Sequence, residues 1–243
     1  MSKPRIYQVD DFNVGQPIAL SDDAFGHVVR VLRLKVDDEI TLFNGSGNDY
    51  QVKLTSVNKK HAMVDVISQA AVTNESPLNI HLGQGISRGD RMDFTLQKSV
   101  ELGVNTITPL FTERCGVKLN SERLEKKRQQ WQKIVISACE QSGRSVVPKV
   151  LQPIALNEWL QQPTTALKIN LHPRAQHSIM GLPMTANRAR LLIGPEGGLS
   201  DAEIEQASSA GYTEVLLGPR VLRTETAALT AITALQCKFG DLS

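Results

Sequence analysis

The chain has 243 residues, of which 41% are hydrophobic and 21% are charged, so it can form a core in one large domain or two modest ones. No run approaches the roughly 18 apolar residues that span a membrane, and the first residues lack the apolar stretch of a signal peptide. The net charge of +2 is small, and the three cysteines (Cys115, Cys139 and Cys237) have neither CxxC spacing nor a nearby histidine. We therefore expect a soluble cytoplasmic protein with reduced thiols, without a zinc site or a disulfide framework.

The first part of the chain, residues 1–73, has the pattern of short strands joined by turns. Residues 39–43, 50–57 and 61–67 favour β-structure, and Asn and Gly residues separate them. This pattern predicts a small β-barrel or sandwich.

One helix is predicted within this β-rich part. Ser21 can cap its first turn, and the apolar residues that follow recur at helical spacing. Arg30 and Arg33 flank this apolar stripe. The residues of the stripe are Phe25, Val28, Val29 and Leu32.

After residues 73–77, apolar strands alternate with helices. This alternation predicts a parallel sheet covered on both faces, so we place a second domain at residues 77–243. The predicted strands are residues 79–82, 106–110, 166–171, 190–193 and 214–217. The predicted helices are residues 92–102, 121–141, 201–210 and 225–237.

Residues 114–149 carry nine basic residues against three acidic ones. Such a surplus is typical of a surface that binds phosphates, but a solvated helix face has the same composition, so the charge alone leaves both interpretations open. The basic residues are Arg114, Lys118, Arg123, Lys126, Lys127, Arg128, Lys133, Arg144 and Lys149.

Two strands end in the same dipeptide: Gly194-Pro195 follows one, and Gly218-Pro219 follows the other 24 residues later. Since one helix separates the strands, we expect both loops at the same edge of the sheet, where ligands of such sheets bind. Glycine allows the backbone to approach a ligand and proline fixes the direction of the chain, so the pair predicts a rigid wall suited to a purine and its ribose. Neither GxGxxG after the first strand nor GxxxxGK[ST] is present, which disfavours a dinucleotide or triphosphate site.

Further polar residues adjoin the predicted strands and helices. Thr224 is a natural N-cap of a buried helix, with Arg223 before it and Glu225 in its first turn. His172 follows another apolar strand. It could be a polar residue at the rim of the site or a general base. The long helix is predicted to end at Gly143, with Arg144 projecting beyond it.

Five segments of the chain resemble the motif series of the bacterial RsmE family, 16S ribosomal RNA uridine-N3 methyltransferases of the SPOUT superfamily. The resemblance runs from about residue 5 to residue 238, in the order of the family's motifs. The segments are residues 27–33, 98–104, 140–144, 193–198 and 217–227.

The resemblance implies a PUA-like β-barrel followed by an α/β domain with a deep trefoil knot, S-adenosyl-L-methionine as cofactor, no metal, and a homodimer formed through the C-terminal domain. The substrate would be 16S ribosomal RNA, either free or in the assembled small subunit. The expected cofactor contacts are Leu171, His172, Ile193, Gly194, Pro195, Glu196, Gly197, Gly198, Leu217, Gly218, Arg220, Val221, Leu222 and Thr226. The expected RNA contacts are Arg5, Arg30, Arg33, Arg88, Arg114, Lys126, Lys127, Arg128 and Arg144.

Methylation at uridine N3 requires removal of the imide proton or stabilisation of the resulting anion. Arg223 is the first candidate for stabilising the anion, and Glu225 could act as base or orient a neighbouring group. Two other functions stay open. A non-catalytic RNA-binding module would explain the basic segment without the paired loops, and an enzyme using another nucleotide would explain the loops without the β-domain.

Overall fold

The computed structural model describes residues 3–116, 121–183 and 187–242, apart from the side chain of Ser121. The chain forms two compact units: Met1–Glu75 with Cys139–Val147, and Ser76–Ala138 with Pro148–Ser243. Cys139–Val147 thus groups with the N-terminal residues, and the predicted domains at residues 1–73 and 77–243 stay a prediction. Within the described ranges, no helix combines the length and apolar character needed to cross a membrane.

The first unit contains a five-stranded sheet with the order β1-β3-β4-β5-β2. β1 pairs with β3 in parallel, and the other neighbours are antiparallel. β3, β4 and β5 confirm the three predicted strands, whereas β1 and β2 are too short to produce a recognisable alternation. The strands are β1 (Arg5–Tyr7), β2 (Pro17–Ala19), β3 (Glu39–Phe43), β4 (Asn48–Val57) and β5 (Ala62–Ala71).

The helix of the first unit begins as predicted. Helix α1 (Asp22–Phe25) is capped by Ser21, whose hydroxyl accepts from the backbone N–H of Ala24. The chain continues as a π-helical segment at Gly26–Val31. A π-helix has more residues per turn than an α-helix, so residues at α-helical spacing no longer share one face. The last residue of the predicted stripe, Leu32, is accordingly 37% exposed.

The second unit contains a parallel sheet with the order β11-β13-β10-β12-β6-β7-β8, and β9 also pairs with β7. The predicted parallel sheet is confirmed, and the knot stays a prediction. The strands are β6 (Asn79–Gly85), β7 (Thr106–Phe111), β8 (Lys149–Val150), β9 (Ile154–Ala155), β10 (Leu167–Leu171), β11 (His177–Ser178), β12 (Arg188–Ile193) and β13 (Thr213–Leu216).

Five helices accompany this sheet, and four of them match predicted helices. The short helix α4 was not predicted, and it places the buried Trp159 against the sheet. Helix α2 contacts α6, and α4 contacts α5. The helices are α2 (Asp90–Glu101), α3 (Ser121–Ser142), α4 (Leu156–Gln161), α5 (Asp201–Ser209) and α6 (Thr224–Phe239).

The order of the central strands positions the site. β10 lies between β12 and β13, and all three run in parallel. Their carboxyl ends therefore meet at one edge of the sheet, as predicted for the two glycine-proline loops. The third loop, which leaves β10, is placed between those two.

Candidate active site

The loops that leave β10, β12 and β13 enclose a cavity of about 510 Å³, which the start of α6 also lines. Thr226 does not line this cavity, contrary to the prediction, because it is exposed two residues beyond Thr224 and so faces away from it on the helix. The predicted cofactor residues that do line the cavity are Leu171, His172, Ile193, Gly194, Pro195, Glu196, Gly197, Gly198, Leu217, Gly218, Arg220, Val221 and Leu222.

The first glycine loop (residues 194–198) is a tight turn. A Cβ at Gly194 would lie 3.0 Å from the backbone nitrogen of Leu199. Gly198 has a φ of +68°, and its N–H donates to the carbonyl of Pro195 at 2.8 Å. These positions require glycine, so the loop presents backbone to the cavity, as the sequence predicted.

The neighbouring strand β6 also makes room for this loop, which the sequence analysis missed. A Cβ at Gly85 would lie 2.5 Å from the backbone nitrogen of Pro195. The signal in the sequence was a glycine just beyond the predicted strand at residues 79–82, since glycine often marks a close approach by another backbone.

The second glycine loop (residues 217–223) is joined to the first through Thr224. The predicted N-cap role of Thr224 is wrong: Arg223 occupies the N-cap position, without a side-chain hydrogen bond, and Thr224 is the first residue of α6. The Thr224 hydroxyl donates to the carbonyl of Gly194 at 2.6 Å and accepts from the side-chain amide of Gln84 at 2.9 Å. Thr224 is only 6% exposed, so this bridge is shielded from water.

Arg223 and Glu225 both line the cavity. Among the described residues, the Arg223 side chain makes no ion pair or hydrogen bond, and the side chain is exposed. One carboxylate oxygen of Glu225, Oε2, is buried without a hydrogen-bond partner in the described part of the chain. A free cation and an unsatisfied acceptor therefore adjoin the same cavity.

Three arginines contact the first glycine loop: two donate to the carboxylate of Glu196, and one donates to a backbone carbonyl. The carboxylate of Glu196 accepts from the backbone N–H of Arg88 at 2.9 Å and from the guanidinium of Arg91 at 3.2 Å. Burial raises the pKa of Glu196. The two hydrogen bonds above, a further one from the Glu196 backbone and the charge of Arg91 outweigh this effect, so the pKa lies below its usual value. The guanidinium of Arg114 donates to the carbonyl of Gly197 at 3.0 Å. Arg91, which the sequence analysis missed, and Arg114 also line the cavity.

His172 lies at the rim of the cavity as a neutral imidazole. Burial lowers its pKa, and the carboxylate of Glu214, 3.7 Å from Nδ1, opposes this shift. Nδ1 also accepts from the backbone N–H of Arg174 at 3.3 Å. These contacts fit a rim residue that orients the β10 loop.

Two of the expected RNA contacts are engaged by partners within the first unit: Arg144 is buried, and Arg5 is half-buried. Arg144 pairs through two nitrogens with the carboxylate of Glu75, at 2.6 and 2.8 Å, and Arg144 is 4% exposed. Arg5 pairs with Asp49 and donates to the hydroxyl of Ser145 at 2.9 Å. Both guanidinium groups are held by carboxylates of the same unit, which does not favour the predicted RNA contacts at Arg5 and Arg144.

The remaining expected RNA contacts differ in how firmly other residues hold their side chains. Arg128 is held by Glu125 and by the carbonyl of Val150, so it too is structural. Lys126 and Lys127 have weaker contacts, and Arg30 and Arg33 are exposed. Lys118, from the predicted basic segment, lies outside the described residues.

Two family models match the chain, an RNA methyltransferase domain at residues 74–236 and an RNA methyltransferase PUA domain at residues 20–67. The ribosomal RNA small subunit methyltransferase E of Buchnera aphidicola (subspecies Schizaphis graminum) is 43% identical, over 99% of this chain and 98% of that protein. Its counterpart in Bacillus subtilis is 30% identical, over 97% and 93% of the two chains.

Solved structures share the fold over the whole chain. A methyltransferase of Legionella pneumophila, in complex with the bound cofactor SAM, has a TM-score of 0.97 and 45% identity and is covered over 100% of both chains. The ribosomal RNA small subunit methyltransferase E of Neisseria gonorrhoeae, bound to S-adenosyl methionine, has a TM-score of 0.93 and 44% identity with the same coverage.

Proposed function

The chain belongs to the ribosomal RNA small subunit methyltransferase E family, and we propose that it transfers the methyl group of S-adenosylmethionine to N3 of a uridine in 16S ribosomal RNA. The observation that carries this proposal is the cavity at the carboxyl ends of β10, β12 and β13, with Arg223 at its rim. The family relationship supports the substrate and the cofactor.

The residues of the cavity fit S-adenosylmethionine. A volume of about 510 Å³ is in the range of small-molecule sites. Leu171, Leu217 and Leu222 offer apolar surface, and Gly194 leaves its backbone uncovered. The carboxylate of Glu225, which also lines the cavity, suits a donor or positive group of a ligand. When bound, S-adenosylmethionine supplies a methyl group made electrophilic by the sulfonium.

The residues beside the cavity supply what the uridine requires. N3 of uridine carries an imide proton, and its loss leaves negative charge shared with O2 and O4. We propose that Arg223 donates to this developing anion, because its guanidinium is not engaged elsewhere in the described structure. Glu225 is the acceptor for the imide proton, or it orients Arg223, and its place beside Arg223 in the cavity lining supports either role.

We also propose roles for the two domains, an oligomeric state and a cellular location. We place RNA binding in residues 1–73, where Arg30 and Arg33 are exposed, and methyl transfer in residues 77–243. We further propose a homodimer through the C-terminal domain, with the RNA presented free or in the assembled small subunit. Ribosomal RNA is made and modified in the bacterial cytoplasm, so we place the protein there.

Calorimetry with S-adenosylmethionine tests the assignment of the cavity. The wild type is expected to bind, and Gly194→Val is expected to stay folded without binding, because the larger side chain meets the backbone of Leu199. Val36→Ala is a matched control, since this exposed position lies outside the cavity. If the folded Gly194→Val variant bound as tightly as the wild type, the loops would be turns only and the proposal would fail.

A further inference from the structure

A second cavity, of about 350 Å³, lies in the same unit as the first. The loop that leaves β6 contributes Ile86, Ser87 and Gly89 to it. Helix α3 contributes residues three, four, seven and eight positions apart, which share one face of a helix. These residues are Arg123, Lys126, Lys127, Gln130 and Trp131.

The lining of this cavity is strongly basic. It includes three cations and no carboxylate among the described residues. Lys126 pairs with Glu122 on the exposed side of the helix, where both side chains are more than 70% exposed, and such pairs contribute little. Lys127 lies 3.7 Å from Asp93 and 5.6 Å from the ring centre of the buried Trp131. The lysine heads are therefore only loosely held by their acidic neighbours, while Trp131 gives the cavity a fixed floor.

The loop that leaves β6 borders the second cavity, and the first turn of α2, which follows this loop directly, borders the first. Ser87 and Gly89 line the second cavity, and Arg91 lines the first. Between them, the backbone N–H of Arg88 donates to Glu196 in the first glycine loop. Residues only a few positions apart, at the junction of this loop with α2, therefore line the two cavities, and the backbone of Arg88 ties this junction to the wall of the first.

We propose that the second cavity binds a phosphodiester group of the RNA strand whose target base enters the first cavity. Cations that converge on a concave surface suit a phosphate. Trp131 is buried, so the cavity offers no exposed aromatic face on which a base could stack. This inference rests on the proposed function, because it requires an RNA substrate.

The test compares methyl transfer by the wild type, Arg123→Ala, Lys126→Ala and the double variant. Lys133→Ala is the matched control, since Lys133 is an exposed residue of the same helix that does not line the cavity. The double variant should raise the KM for 16S ribosomal RNA on the order of tenfold at 0.15 M salt. It should lower the salt slope by about one for each cation removed. Its kcat, its melting temperature and its affinity for S-adenosylmethionine should stay at wild-type values.

Two results would overturn the proposal: a KM and salt slope in the double variant equal to those of Lys133→Ala, or a lower kcat with an unchanged KM. A third would reassign the cavity to a free anion. In that case inorganic phosphate would bind the wild type but not the double variant, while the KM for RNA stayed the same. A wild type that transfers no methyl group to RNA would instead contradict the proposed function and is recognised before any variant is compared.

Discussion

Gly85 on β6 lies directly against Pro195 of the first glycine loop, so close that a Cβ at Gly85 would be 2.5 Å from the Pro195 nitrogen. Gly85→Ala should therefore displace this loop from the cavity and weaken S-adenosylmethionine binding at least tenfold. The protein should stay folded, since the loop can shift toward the cavity through its exposed residues Glu196 and Gly197. Gly181→Ala is the control, because no described atom lies within 4 Å of a Cβ there. Equal affinities of the two variants by calorimetry would show that the loop position does not matter.

The hydroxyl of Thr224 is expected to hold the two glycine loops in register. Thr224→Val keeps the shape of the side chain but removes the donor to the Gly194 carbonyl and one acceptor of the buried Gln84 amide, at a cost of about 1–3 kcal/mol. We expect weaker cofactor binding and a lower melting temperature. Thr224→Ser keeps the hydroxyl and should recover most of both. If valine and serine behaved alike, the bridge seen at 2.6 Å would not contribute.

Arg223 is expected to act on the chemical step. Arg223→Ala should bind S-adenosylmethionine almost normally and lose about a hundredfold or more in methyl transfer, as when one donor to an oxyanion is removed. Lysine should restore part of the rate, because a point charge does not replace the guanidinium fork. Single-turnover rates at saturating cofactor and RNA measure this effect. A near-normal rate would remove Arg223 from the reaction, and a loss of cofactor binding would make its role structural.

The second unit should become less stable as the pH decreases, because His81 is buried in the folded protein. Burial, and then the charge of Arg190, lower the pKa of His81 to about 4 in the folded protein. The unfolded chain takes up this proton near pH 6.5, so protonation favours unfolding, and stability is lost as the pH falls from about 6.5 to about 4. The effect is at most about 3 kcal/mol.

Urea unfolding followed by tryptophan fluorescence measures this dependence, since both tryptophans belong to the second unit. His81→Gln should flatten the dependence between pH 4.5 and pH 6.5 (about the range between the two pKa values). His177→Gln, at an exposed site in the same unit, should leave it unchanged. The lowered pKa of His172 adds a loss of the same sign. If His81→Gln left the dependence unchanged, its cause would lie in other groups.

The ion pair between Arg144 and Glu75 should stabilise the first unit. Glu75→Ala leaves the Arg144 charge buried without its carboxylate and is expected to cost about 3–5 kcal/mol. Glu122→Ala breaks an exposed ion pair and should cost less than about 1 kcal/mol. Urea unfolding of the two variants, followed by circular dichroism, compares these costs. Similar values would contradict the buried role of Arg144.

The sequence predicted the features that depend on neighbouring residues. Alternating and continuous apolar runs gave most of the strands, and the repeated Gly-Pro dipeptides marked two of the three loops around the cavity. These features follow from local sterics and from the periodicity of side chains. The π-helical segment at Gly26–Val31 shows the limit, because no residue type there announces the change of repeat.

The features that were missed depend on partners far along the chain. Arg144 and Glu75 are 69 residues apart, and Thr224 meets Gly194 30 residues away. An exposed arginine that binds RNA and a buried arginine that pairs with a carboxylate look alike in a sequence. The difference between them is burial, which only the folded structure specifies.

Transfer of a labelled methyl group to 16S ribosomal RNA tests the central claim most directly. The purified protein, S-adenosylmethionine and small subunits from a strain lacking the gene are incubated, and the digested RNA is analysed by mass spectrometry. The account predicts one methyl group, on N3 of a single uridine. After the same incubation time, the Arg223→Ala variant should have transferred about a hundredfold less label. A methyl group on another atom, or no transfer by a protein that binds S-adenosylmethionine and RNA, would contradict it.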